Sequence, residues 1–152
     1  MDQAQRSEFE RFVHDVEPRL RRAFIAAYGF ERGREATANA LGWAWENWER
    51  MGQIGNQVAY LFRVGQSSVR RRKPVVMFAR GGYSEPWFEP ALVPALAALS
   101  ERQRIAVVLV HGFDWTMRDV AELTGIRVTT VQSHLERGLR NLRATMEVPD
   151  HA

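Results

Sequence analysis

The 152-residue chain is predicted to be all-α: two small helical domains joined by a linker, the C-terminal one a helix-turn-helix. Three observations carry this. Apolar residues recur at three- and four-residue spacing on both sides of a central stretch, and no segment alternates with the period of a strand. That central stretch, "PVVMFARGGYSEPWFEP", holds Pro74, Pro86, Pro90 and a Gly-Gly pair without a sustained period, as a linker does. The segment "RDVAELTGIRVTTVQSHLERGLRNLR", Arg118 to Arg143, joins two amphipathic stretches through a lone glycine.

The elements follow in order. Ser7 and Glu10 have capping-box spacing, and Phe9, Phe12, Val13, Val16, Leu20, Phe24 and Ala27 recur at helical intervals, which predicts a helix over about 8–28. Pro18 is expected to bend or break it, and Gly29 ends it. A second helix is expected over about 33–51, with Leu41, Ala44, Trp45 and Trp48 on one broad face; Trp45 and Trp48 read as core and Trp43 as exposed. Asn56 can cap a third helix, about 57–72, which Pro74 stops. The expected division is a front domain 1–73, a linker 74–90 and a back domain 91–148. Trp87, Phe88, Met77 and Phe78 make the linker too apolar for a freely solvated tether.

The back domain opens with a short helix, about 91–99, with Pro94 tolerated in its first turn. Ser100 and Gln103 make a second capping box for a helix to about His111, "GFDWT" is the turn, and Thr116 and Asp119 signal the next N-terminus. The last helix is expected over about 128–146.

Composition narrows the function. With no cysteine, disulfides, zinc knuckles, iron–sulfur clusters and thiol catalysis are excluded, which fits a reducing cytoplasm. His111 and His134 are too isolated for a metal site, and no cofactor is implied. No run approaches the roughly 18–20 apolar residues of a membrane span, and the N-terminus does not read as a signal peptide, so no membrane association is expected. Carboxylates on the second helix lack a His, Ser or Lys at catalytic spacing, so no enzyme is expected. The net charge is +3, with basic residues clustered at Arg70, Arg71, Arg72 and Lys73 and at Arg137, Arg140 and Arg143. Such clusters fit nucleic acid; the alternative is a set of solvated helix faces, the first cluster being a helix end where cations are favoured.

The glycine-centred segment is more specific. Two helices crossing at a steep angle need a small residue at the contact (Ala121), a corner of positive φ (Gly125) and an apolar plug after it (Ile126). Val131, Leu135, Leu139 and Leu142 supply the inner face of the second helix. Its outer face carries Arg127, Thr129, Thr130, Gln132, Ser133, His134 and Arg137, clustered at the end that enters the major groove in this motif. Gln can pair with adenine, Arg with guanine, and a Thr methyl can touch thymine.

On these residues the chain resembles the extracytoplasmic-function (ECF) group of bacterial sigma factors. "LSERQRIAVVLVHGFDWTMRDVAELTGIRVTTVQSHLERGLRNLR" is similar to their C-terminal domain, with Ser100 where the family has proline. "EATANALGWAWENWERM" is similar to the helix that grips the RNA polymerase core, and "AYLFRVGQSSVRRRK" to the segment that recognises and opens the -10 element. The resemblance implies a cytoplasmic, nucleoid-associated factor whose partners are DNA and the polymerase core. Glu35, Asn39, Trp43 and Glu46 would contact the β′ coiled coil. Tyr60, Arg63, Ser67, Arg70, Arg71, Arg72 and Lys73 would contact the -10 element, with Tyr60 stacking a base. The back domain would sit on the β flap and read the -35 element through Arg127 to Arg137. An anti-sigma factor is a further candidate partner. Ala38 stands where the family has glutamine, and Ser67 where it has asparagine. Two other readings stay open: a sigma-like regulator that binds DNA without opening promoters, and a protein-interaction adaptor.

Overall fold

A computed structural model describes residues 2–70 and 91–147; the expected linker, Arg71, Arg72 and Lys73, and the side chain of Arg70 lie outside the described residues. Among those described, the helices are α1 (Gln3–Tyr28), α2 (Phe30–Glu46), α3 (Trp48–Met51), α4 (Gln57–Arg70), α5 (Leu92–Ala97), α6 (Glu101–Val107), α7 (Met117–Thr124) and α8 (Val128–Glu147). A π-helical turn, Val108–Gly112, continues α6. No strand occurs among them.

Helix α1 starts earlier than expected. Asp2 is the N-cap: its Oδ1 accepts from the Gln5 N–H at 2.8 Å, and Gln5 Oε1 accepts from the Asp2 N–H at 3.1 Å. The same reciprocal chemistry expected at Ser7 operates five residues upstream, and Ser7 lies inside the helix. Pro18 also lies inside α1, which runs through it unbroken. An interior proline removes one backbone bond and costs about 3 kcal/mol or more. The burial of Phe12, Val16, Leu20, Ala23 and Phe24 on either side of it opposes that cost.

Gly29, at φ +85°, is the single residue between α1 and α2, so α2 begins at Phe30 rather than Gly33. The buried stripe of α2 is small: Gly33, Ala36, Thr37, Ala40 and Ala44. A Cβ at Gly33 would stand 2.8 Å from the backbone of Ile25, so the stripe lets the two helices touch almost backbone to backbone. This corrects the tryptophan assignment. Trp45 is 40% exposed, leaning edge-on against Phe9 at 4.9 Å, and Trp48 is half-buried against Phe9 and Phe12. Trp43, expected to be exposed, is half-buried against Tyr60. The alanines occupy the contact line, so the rings are displaced to its flanks. Helix α2 also stops at Asn47, whose Nδ2 donates to Trp43 O at 2.9 Å, and Trp48 starts a new turn.

Asn56 caps α4 as expected, its Oδ1 accepting from the Ala59 N–H at 3.0 Å. Gly65 lets α4 close on α1, because a Cβ there would overlap the Phe24 ring. In the back half, Ser100 and Gln103 form their capping box, and α8 crosses α6 where a Cβ at Gly138 would meet Val107 Cγ2 at 2.8 Å.

The two halves pack against each other. Thr37 and Arg104 are the buried polar side chains among the described residues, and Arg104, on α6, is 2% exposed. It donates to three carbonyls: Leu99 O in its own half at 2.8 Å, and Ala26 O at 3.2 Å and Ala27 O at 2.6 Å at the end of α1. Arg19 lies 4.1 Å from the ring centre of the buried Trp115, and Arg22 lies 5.3 Å from that of Phe113.

Candidate nucleic-acid interface

The helix-turn-helix is built from α7, Gly125 and α8. Thr116 starts α7: its Oγ1 accepts from the Asp119 N–H at 3.0 Å, and Asp119 Oδ2 accepts from the Thr116 N–H at 3.1 Å. These contacts hold the Asp119 carboxyl below its usual range; the backbone bond with Thr116 is the main cause and outweighs the opposing effect of burial, with the Thr116 side chain and Arg19 adding smaller contributions. Val120, Ala121 and Leu123 form the buried face of α7. Gly125 then takes φ +72°, ψ +24°, and its N–H donates to Ala121 O at 2.8 Å, which ends α7 in a left-handed cap. Ile126 is half-buried behind the corner, and Val131, Leu135 and Gly138 are the buried positions of α8.

The outer face of α8 is open. Arg127, Thr129, Gln132, Ser133 and Arg137 are exposed, and Thr130 and His134 are half-buried. Two of these groups already have local partners. Ser133 Oγ donates to Thr129 O at 3.2 Å, and a hydroxyl that donates can still accept. Gln132 Nε2 donates to Glu136 Oε1 at 3.3 Å, a long exposed contact that a base edge can replace. Glu136 is a carboxylate on the rim of the basic face, and sequence reasoning passed over it. It also passed over Arg102. His134 is held below its ordinary value first by burial, then by the charges of Arg102 and Arg137. Arg102, on α6, is thus electrostatically part of this face, although 35 residues separate it from Arg137 (137 − 102). Helical periodicity within one segment cannot signal such a pairing.

The front-half candidates divide differently. Asn39, Trp43 and Glu46 of α2 line one groove with Tyr60, Val64, Ser67 and Ser68 of α4. Residues assigned to polymerase and residues assigned to the -10 element therefore share a surface. Trp43 is held there between Tyr60, with ring centres 5.4 Å apart, and Arg50, 5.6 Å from the Trp43 ring centre. Phe62, two residues on, is fully buried against Phe24, whereas Tyr60 is half-buried at the groove. Glu35 is exposed on α2 but is not part of the groove lining. Arg63 is exposed and turned away toward the helix-turn-helix: a Cβ at Gly125 would lie 3.0 Å from Arg63 Nη2. Among the described residues no group of His, Asp and Glu is arranged to hold a metal ion, and no helix is long and apolar enough to cross a membrane.

Residues 91–142 match the family described as Sigma-70, region 4. The solved structure of the sigma factor RpoE from Bartonella quintana, crystallised with the anti-sigma factor NepR, aligns over 93% of this chain and 98% of its own, with a TM-score of 0.66 and 20% sequence identity. No curated protein matches the chain by sequence.

Proposed function

We propose, for a chain whose residues 91–142 form a sigma-70 region 4 segment within a sigma-factor fold, that it is an ECF-type sigma factor directing core RNA polymerase to promoters. The observation that carries this is the polar face of α8. It is open to solvent at Arg127, Thr129, Gln132, Ser133 and Arg137, and its inner face is anchored by Val131 and Leu135. In this reading, region 4 is the back domain 91–148. It sits on the β flap and reads the -35 element, with His134 and Thr130 at the edge of the contact. The front domain 1–73 binds the β′ coiled coil through Glu35, Asn39, Trp43 and Glu46. It meets the -10 element through Tyr60, Arg63, Ser67 and the Arg70–Lys73 cluster, and residues 74–90 connect the two. Two modest contacts joined through one polymerase gain from effective concentration, so neither needs high affinity alone. The factor has no chemistry of its own; it works in the cytoplasm, and the polymerase supplies catalysis. An anti-sigma factor is a partner in this reading, supported by the RpoE–NepR complex.

Purified protein added to core polymerase and genomic DNA should give discrete run-off transcripts that core alone does not. Duplex binding with no transcripts would favour the second reading, a sigma-like regulator that does not open promoters. Three observations lean toward that alternative: Ala38 and Ser67 carry fewer hydrogen-bonding groups than the family's residues, and Arg63 faces Gly125.

A further inference from the structure

We propose that Glu136 is a specificity-determining residue that reads a cytosine in the -35 element, and that with Gln132 it forms a two-residue unit selecting an adenine and a cytosine on neighbouring base pairs. The unit rests on the sigma reading above, in which α8 enters the major groove.

Thr129, Gln132, Ser133 and Glu136 are exposed and spaced by three and four, so they form one row along α8. The same helix carries Arg137, Arg140 and Arg143, and Glu136 is its one carboxylate before the final residue, Glu147. A carboxylate on a face that meets phosphates repels them and weakens binding unless it finds a donor. Arg140, four residues on, is the usual kind of partner. Among the described residues, however, no cationic side-chain nitrogen lies within 4.0 Å of the Glu136 carboxylate. Its contact is Gln132 Nε2 at 3.3 Å.

Ionised, Glu136 only accepts. The major groove offers it two donors, cytosine N4 and adenine N6, whereas guanine and thymine present acceptors there. Glutamate pairs with cytosine N4, and the amide of Gln132 matches the N7 acceptor and N6 donor of adenine. The contact between the two side chains sets that amide's orientation. Turned end for end, Gln132 would bring its oxygen against the carboxylate, two acceptors face to face. With Nε2 toward Glu136, one amide hydrogen is held, and the second hydrogen and Oε1 remain for the base. Glu136 in turn keeps its other oxygen for cytosine. Residues four apart are about 6 Å apart along a helix axis, less than two base steps of about 3.4 Å, so the pair addresses adjacent rungs of the duplex.

The test is selection by the full-length chain from duplexes with a randomised segment of about ten base pairs, one turn of DNA. Affinities are then measured on single-base variants of the selected duplex. The wild type should select a motif with an adenine and a cytosine no more than two steps apart. Glu136→Ala should lower the preference for that cytosine about five- to tenfold, and that for the adenine by a smaller factor. It should also tighten binding to all duplexes alike, because a repulsive charge is gone. Glu136→Gln, close in shape, should shift the cytosine position toward adenine. Position 136 is exposed, so both variants should keep the wild-type melting curve. No selected motif, a motif without that cytosine, or base preferences identical in the three proteins would overturn the unit. A uniform gain in affinity with unchanged preferences would overturn it too, by reducing Glu136 to a repulsive charge. Run-off transcription by the wild type with core polymerase is measured on the selected sequence. If transcripts are absent but the base preferences shift as expected, initiation falls and the reading unit stands.

Discussion

Gly125 is a position at which a single methyl group should cost stability through backbone conformation rather than through crowding. Its φ of +72° is a left-handed conformation, and its N–H ends α7 on Ala121 O. Gly125→Ala places a Cβ in that conformation at a cost of roughly 1–2 kcal/mol. The unfolded chain simultaneously loses freedom, which returns about 0.4–1 kcal/mol. The new methyl would lie 3.0 Å from Arg63 Nη2, but this is the far end of a flexible side chain and can swing aside. The net destabilisation is therefore about 1 kcal/mol, or ~2–4 °C in Tm for a chain of this size. Asn tolerates the left-handed region better than Ala, and a β-branched residue tolerates it worst. Thermal unfolding should thus rank stability as wild type, Gly125→Asn, Gly125→Ala, Gly125→Val, in descending order. An Ala variant as stable as the wild type would refute the strain argument. So would rescue of Gly125→Ala by Arg63→Ala, since that would locate the cost in crowding rather than in φ.

The other expectations concern packing, DNA contact and pH. Gly138→Ala should destabilise by about 1–2 kcal/mol, because overpacking against Val107 and the Gln103 carbonyl outweighs the gain in helix propensity. Gly42→Ala, where nothing lies within 4 Å of the added carbon, should instead stabilise by about 0.5–1 kcal/mol, and equal Tm shifts in the two variants would contradict this. Arg137→Ala should weaken duplex binding and flatten the slope of log affinity against log salt by about 0.9; an unchanged slope would remove it from the phosphate contacts. His134 titrates below its ordinary value when folded, so the unfolded chain takes up the proton first as pH falls. Its contribution is complete above the ordinary imidazole value and is lost as pH falls from about 6.5 toward the folded value. His134→Gln should therefore show a shallower fall in urea midpoint over that acid range. Identical pH slopes for the two proteins would rule this out.

What the sequence by itself determined about this protein is what depends on neighbours three or four residues apart. The Ser100–Gln103 and Thr116–Asp119 boxes, the Asn56 cap, the Gly125 corner and the two faces of α8 are all local, because each joins a side chain to a backbone group within one helical turn. Even locally there was ambiguity: Ser7–Glu10 and Asp2–Gln5 have the same spacing, and only the start of the helix distinguishes them. Tertiary structure alone decided what depends on contact between segments. The tryptophan placement is one case: residue size suggested a core of Trp45 and Trp48, whereas the close approach of α1 and α2 required alanines on the contact line and left Trp45 outside. The charge of Arg102 is felt at His134, and Tyr60 shares a groove with Trp43, only because separate helices pack together there. Arg104 is the extreme case. In the sequence it is an ordinary cation on a helix, and its burial goes with acceptors 77 and 78 residues away, the Ala27 and Ala26 carbonyls at the end of α1.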